Sequence, residues 1–331
     1  MFLKILFFKN RQEEKHNMYR IGIDLGGTNI SAGLVGDGGK LLFKSSMPTE
    51  LGGSDVEITE LMANFCLQIA KRCDISERDI DSIGIGCPGV CDDENGILLY
   101  TVNLPFRNTN IAKIFSKFIG APVHLANDAN CAALGEVVAG GAKGYKSSIT
   151  LTLGTGVGGG IIIDGKIYTG FNHAAGEMGH IAIHAGGESC GCGRKGCLEA
   201  YASATALIRE AKRAFQEHPD CMIRTLCEGD LNKINAKTPF DAKRAGDKIG
   251  TAIVDKYIRD LGEGIINYIN IFQPEIILLG GGVSKEGDYL LVPLREYVFQ
   301  YSYGHDFLPQ TKIECAMLGN DAGIIGAAML D

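Results

Sequence analysis

With 331 residues the chain is long enough for two domains and a well-buried core. A net charge of -7 disfavours nucleic acid or an anionic membrane surface as the main partner. The 45 glycines are about twice average usage; they gather in short loops, which predicts close backbone approaches to a ligand.

Eleven cysteines lack the spacing of a disulfide framework, and most stand singly in apolar segments (Cys66, Cys131, Cys315). Reduced thiols in a cytoplasmic protein are therefore expected. The opening MFLKILFF is short, interrupted by Lys4 and followed by a charged stretch with no small-residue cleavage site. Residues 1–17 are read as an N-terminal extension, and no run is long enough to span a bilayer.

From Ile21 the chain reads strand, turn, strand, turn, strand: IGIDLGG, TNISAGLV, GDGG, KLLF. A helix follows, opened by a capping box at Ser54 and Glu57. DSIGIG (81–86) is a strand closed by Cys87-Pro88-Gly89, residues 110–118 a helix and residues 122–126 a buried strand. Asn127 and Asp128 stand where that strand stops and the 129–138 helix begins. Residues 147–168 then repeat the opening theme, with ITLTLG matching IGIDLG and Thr152 standing where Asp24 stood. Two copies of one β unit predict two related lobes, each offering a glycine loop. Helices are expected over 202–217 and from Thr238-Pro239 to Asn270, where proline suits the first helical position. A strand over 275–279 ends in Gly280-Gly281-Gly282. A late strand (312–316) and an apolar helix (321–330) close the chain.

Two segments match G-x-G-x-x-G: Gly84, Gly86, Gly89 and Gly154, Gly156, Gly159. A dinucleotide fingerprint needs a helix directly after the loop. Here a turn-rich VCDDENG and a strand follow, so that reading fails; the absence of G-x-x-x-x-G-K-[ST] excludes a Walker loop. A β-hairpin phosphate loop remains. In DLGGTN, Gly26 and Gly27 leave backbone N–H groups open to phosphate oxygens. Thr28 adds a hydroxyl, and Asp24 is placed for Mg2+, an ion that prefers oxygen ligands.

The stretch Gly176–Glu199, GEMGHIAIHAGGESCGCGRKGCLE, holds Cys190-x-Cys192-x4-Cys197 with a histidine nearby. One histidine and three thiolates suit tetrahedral Zn2+ in a closed, structural site. Spacing alone leaves His173, His180 and His184 as competing ligands. Asp128 reads equally well as a catalytic carboxylate and as a helix cap.

The DLGGTN loop, the LGTGVGGG loop and the late GGG resemble the sugar kinase and actin-like ATPase superfamily. With GEMGH and CGCGRKGCLE added, the chain resembles the ROK family (repressors, open reading frames and kinases), and within it the ATP-dependent glucokinases, from about Met18 to Leu330. The resemblance implies an α/β, two-lobed actin-like (ribonuclease H-like) fold with a structural zinc site. The small lobe would take 18–128 plus 318–331 and the large lobe 129–317. It implies ATP bound by Asp24, Gly26, Gly27, Thr28, Asn29, Gly154, Thr155, Gly156, Gly281 and Gly282. It gives Asp128 the role of general base towards the 6-hydroxyl of glucose, within a sugar site of Gly89, Asn103, Asn127, Glu177, His180 and Glu199. His180 is picked out as the zinc ligand beside Cys190, Cys192 and Cys197, and a homodimer is expected. Fructose, N-acetylglucosamine, N-acetylmannosamine or allose are alternative substrates. A sugar-responsive repressor would carry an N-terminal helix-turn-helix domain, for which the 17 residues before Met18 are too few.

Overall fold

The computed structural model describes residues 19–49 and 52–331; the N-terminal extension read at 1–17, and Met18, lie outside the described residues. Strands β1 (Tyr19–Leu25), β2 (Asn29–Gly36) and β3 (Lys40–Pro48) form an antiparallel meander. Helix α1 (Asp55–Arg72) follows. Its capping box is formed: Glu57 N–H donates to Ser54 Oγ, and Ser54 N–H to Glu57 Oε2. Ile58, Met62, Phe65 and Ile69 recur at helical spacing and bury one face of α1 in the core it shares with the strands β1, β2 and β4 (Ile80–Cys87).

After β4 comes a three-stranded antiparallel sheet absent from the sequence reading: β5 (Gly89–Asp92), β6 (Ile97–Thr101) and β7 (Arg107–Asn110). The expected helix over 110–118 is shorter, α2 spanning Ile111–Phe115. Strand β8 (Val123–Asn127) completes the first large sheet in the order β3-β2-β1-β4-β8, with β1, β4 and β8 parallel.

Helix α3 (Asp128–Ala139) leads to β9 (Ser148–Leu153), β10 (Val157–Ile163) and β11 (Lys166–Ile167). The segment read as one helix from 202 is two, α4 (Glu199–Ala202) and α5 (Ala204–Glu217), because Ser203 adopts extended dihedrals and caps α5. A short α6 (Met222–Leu226) follows. The helix expected from Thr238 to Asn270 is also broken, into α7 (Thr238–Arg244) and α8 (Lys248–Phe272). Gly246 takes φ +82° and Asp247 caps α8, its carboxylate accepting the Gly250 N–H at 2.8 Å. Strand β12 (Ile276–Gly280), helix α9 (Asp288–Tyr301), strand β13 (Lys312–Cys315) and helix α10 (Ala322–Ala328) complete the chain.

The second large sheet runs β11-β10-β9-β12-β13. Strand for strand it has the order and directions of the first: an antiparallel hairpin unit, then two parallel strands. The equivalence extends to single positions, since Asp24 pairs with Gly86 across β1–β4 and Thr152 with Gly280 across β9–β12. The internal repeat is therefore a repeat of topology.

Helices α10 and α3 pack between the two sheets. A Cβ on Gly84 would lie 1.6 Å from Ala327 O, and one on Gly326 1.7 Å from Cys131 O. Part of the glycine excess therefore serves helix packing rather than ligand approach, the reading given to it from composition. All eleven cysteines are free. Among the described residues, no helix is long and apolar enough to cross a membrane.

Candidate active site

A cavity of about 480 Å3 opens where β1, α3, the β9–β10 hairpin, the 173–180 segment and the lead into α10 converge. It brings together Asp24, Gly89, Asn127, Asp128, Gly154, Thr155, Gly156, Glu177, His180, Glu199 and Gly281 from the sequence reading. Gly26, Gly27, Thr28 and Asn29 form the β1–β2 turn just beyond Asp24, outside the cavity lining, and Gly282, after β12, also lies outside it. Asn103 is exposed between β6 and β7 and does not line the cavity.

Asp128 is the first residue of α3, fixed there by Asn127. The Asn127 side chain accepts the Ala129 N–H at 2.9 Å and the Asn130 N–H at 3.3 Å, and it donates to Gly89 O at 3.3 Å. The strand end, the helix cap and the Pro88-Gly89 turn are thereby locked together. Asp128 itself is open to the cleft while protein crowds its other sides. That desolvation raises its carboxyl above the usual range; the Ala129 N–H opposes the shift and the Glu177 carboxylate adds to it. Burial first, and Asp128 second, push Asp24 up to about 6.

No lysine or arginine lines this cavity among the described residues, whereas Asp24, Asp128, Glu177 and Glu199 all do. A polyphosphate could enter such a site only with a cation beside it. The glycine positions fit the same requirement. A Cβ on Gly27, Gly154 or Gly282 would meet no protein atom, so their bare backbone faces open space. Gly281 has φ +84°, and a Cβ there would sit 2.4 Å from Leu153 O, so the GGG turn presses directly on the second glycine hairpin.

Beside the cavity, one nitrogen of His180 and the sulfurs of Cys190, Cys192 and Cys197 lie within 4.8 Å of one another. Cys192 Sγ and Cys197 Sγ are 3.7 Å apart, and His180 Nδ1 is 3.6 Å from Cys190 Sγ. These separations suit four ligands at tetrahedral distances of ~2.0–2.3 Å from one ion. His184 pairs instead with Asp260 at 2.8 Å, and His173 lies on the cavity wall away from the cluster.

The cluster touches the cavity through two side chains. His180 turns Nδ1 to Cys190 and Nε2 towards Glu177 Oε2, 3.9 Å away. Glu199 accepts from Cys190 Sγ at 3.5 Å and from the Val157 N–H at 3.0 Å, tying the cysteines to the second glycine hairpin.

His173, Asn320 and Gly323 also line the cavity and were missed. The signal for the last two was the glycine-flanked LGNDAG before the final helix; His173, held at φ +63°, had none. A larger cavity of about 680 Å3 lies between α5 and α8. Its cations are already paired, Arg213 with Glu188, Arg209 with Glu210 and Lys256 with Asp260, and none of the glycine loops reaches it.

Two duplicated sheets clamping a carboxylate-lined cleft between glycine hairpins define a sugar kinase of the actin-like ATPase fold. Residues 20–331 match the ROK family, and the chain belongs to it. The glucokinase of Thermotoga maritima is 37% identical over 94% of this chain and 96% of its own length. The structure of a ROK family glucokinase from Streptomyces griseus, in complex with glucose and AMPPNP, is 34% identical and superposes with a TM-score of 0.77, covering 94% of this chain and 98% of that one. The xylose repressor of Caldicellulosiruptor bescii is 31% identical, covering 92% of this chain and 76% of the repressor.

Proposed function

We propose that this protein transfers the γ-phosphoryl group of ATP to the 6-hydroxyl of glucose. The observation that carries the reading is the Asp128 carboxylate, set at a helix start in the cavity that also holds Asp24, the β9–β10 glycine hairpin and the Glu177–His180–Glu199 group. Likeness over almost the whole chain to glucokinases, one of them holding glucose and AMPPNP, adds the substrate class.

In this reading Asp128 accepts the 6-hydroxyl proton as that oxygen attacks the γ-phosphorus and ADP departs. Burial raises its pKa, which makes it a better base. The bare backbones of Gly26, Gly27, Gly154, Thr155, Gly156, Gly281 and Gly282, with Thr28 and Asn29, cradle the phosphates and nucleoside. Asp24 would hold Mg2+, which neutralises charge developing on the phosphates when bound. Gly89, Asn103, Asn127, Glu177, His180 and Glu199 read the hexose hydroxyls; Asn103 would have to be brought in by closure of the lobes, which also expels water. His180, Cys190, Cys192 and Cys197 would hold a structural Zn2+ that keeps His180, and through it Glu177 and Glu199, in register.

The lobes are taken as 18–128 plus 318–331, and 129–317. Free thiols suit the reducing cytoplasm, and the exposed Tyr301, Tyr303 and Phe307 at and beyond the end of α9 suit a homodimer. The test is a sugar panel with MgATP, read as ADP release and by phosphorus NMR of the product. Glucose 6-phosphate as the preferred product supports the proposal. Faster turnover of another hexose would reassign the substrate, and binding without turnover would leave a sugar sensor.

A further inference from the structure

Two residues beyond Asp128 on α3, Asn130 is only 2% exposed, and its Oδ1 has no hydrogen-bond partner. Stranding a buried carbonyl costs ~1–3 kcal/mol, so such an atom calls for a partner in some state of the molecule. Beside it runs the turn that carries Glu177. A Cβ built on Gly176 would stand 3.4 Å from Asn130 Oδ1 and 3.2 Å from Gly159 O. Gly176 holds φ +97°, where only glycine sits without strain. Among the described residues, the N–H groups of Gly176 and Glu177 donate to no protein atom. An unpartnered buried acceptor on the helix of Asp128 therefore lies against Gly176, in the turn whose Gly176 and Glu177 N–H groups donate to no protein atom.

We propose that Asn130 is a positioning residue for the hexose site: with sugar bound, the Gly176–Glu177 turn settles onto α3 and donates a backbone N–H to Asn130 Oδ1. This fixes Glu177 relative to Asp128, which rides on the same helix. The task requires an acceptor oxygen at position 130, which an apolar side chain of the same size does not supply. The role rests on the hexose kinase reading above and adds to it the element that couples sugar binding to the catalytic helix.

The test compares the wild-type enzyme with Asn130→Leu, of similar volume but without the acceptor, and Asn130→Asp, which keeps an oxygen in place. In Asn130→Leu, KM for glucose rises about tenfold, the scale of one ordinary hydrogen bond, while KM for MgATP stays within about twofold. Asn130→Asp recovers most of the glucose KM. Hydrogen exchange at the Gly176 and Glu177 amides slows on adding glucose to the wild type and does not slow in Asn130→Leu. Equal rises in both KM values would mark a merely structural role and overturn the proposal. So would glucose-independent exchange at the two amides in the active wild type. A wild-type enzyme that turns over no hexose would instead remove the kinase reading itself.

Discussion

Asp24 stores a destabilisation that the nucleotide's cation would relieve, and Asp24→Asn exposes it. The folded protein raises this carboxyl from 3.8 to about 6, through burial first and Asp128 second. Because the folded pKa lies above the unfolded one, the native state holds the proton more tightly. Stability therefore falls as pH rises through the window from about 4 to about 6, and the penalty is complete above it. The shift of 6 − 3.8 corresponds to roughly 3 kcal/mol as an upper bound. Replacing the ionised carboxylate with a neutral amide of the same shape removes that penalty. Above pH 7 the metal-free variant is then more stable than wild type by up to ~3 kcal/mol, roughly 4 °C in Tm for a chain of this size. Near pH 4 the two proteins melt together. Paired thermal melts in chelated buffer across this pH range measure the difference. Adding Mg2+ and nucleotide should raise the wild-type Tm more than that of the variant, which lacks the anionic ligand. A variant less stable than wild type at pH 7.5, or a difference independent of pH, would refute the reasoning.

Three further outcomes follow from the site. Asp128→Asn lowers kcat by at least ~10²-fold with the fold intact, as circular dichroism and steady-state rates together report; near wild-type turnover would remove Asp128 as the base. Stripping metal from the His180–Cys190–Cys192–Cys197 cluster abolishes glucose binding in calorimetry, because structural zinc is worth ~10 kcal/mol or more in small domains. Full activity in protein shown to be metal-free would rule out that role. Glu136→Gln loses ~2–4 kcal/mol of stability, since the fully buried Glu136 carboxylate accepts from Gly141, Met317 and Leu318 N–H groups and an amide cannot serve all three. An unchanged urea midpoint would contradict it.

Much of this was legible in sequence because the signals were local. The matching IGIDLG and ITLTLG runs gave the duplicated unit, since strand alternation and a glycine turn are written within a few residues. The cysteine spacing marked the cluster for the same reason. What stayed hidden depends on tertiary placement. The β5–β7 sheet consists of short strands with turn-rich flanks, including Pro88 and Pro105, that no periodicity separates from loop. Helix α9 carries Pro293 in its interior, a residue that argues against a helix until packing overrides it. Asn320 and Gly323 reach the cavity only because α10 folds back onto β1 and β4, a contact made across the full length of the chain. Nothing local marks Glu136, whose buried carboxylate accepts from the nearby Gly141 N–H and from the distant Met317–Leu318 backbone.

Helix α3 explains why these far-apart pieces form one site. Its first residue is Asp128, and its backbone packs against α10, which lies on the first sheet, and against β9 and β10 of the second. Near its other end Glu136 clasps the Met317–Leu318 backbone, and the next two residues, Gly319 and Asn320, line the cavity. A rigid helix of twelve residues spans roughly 18 Å, so a tilt that moves one end must move the other. Closure of the sheets over sugar and nucleotide would then be felt at Asp128 by way of Glu136, without any direct contact between the two carboxylates. On that account Glu136→Gln should weaken MgATP binding as well as stability, while a destabilising change on the outer face of α1 should lower Tm and leave KM for MgATP alone. Equal effects of the two substitutions on KM would show that α3 transmits nothing beyond general stability.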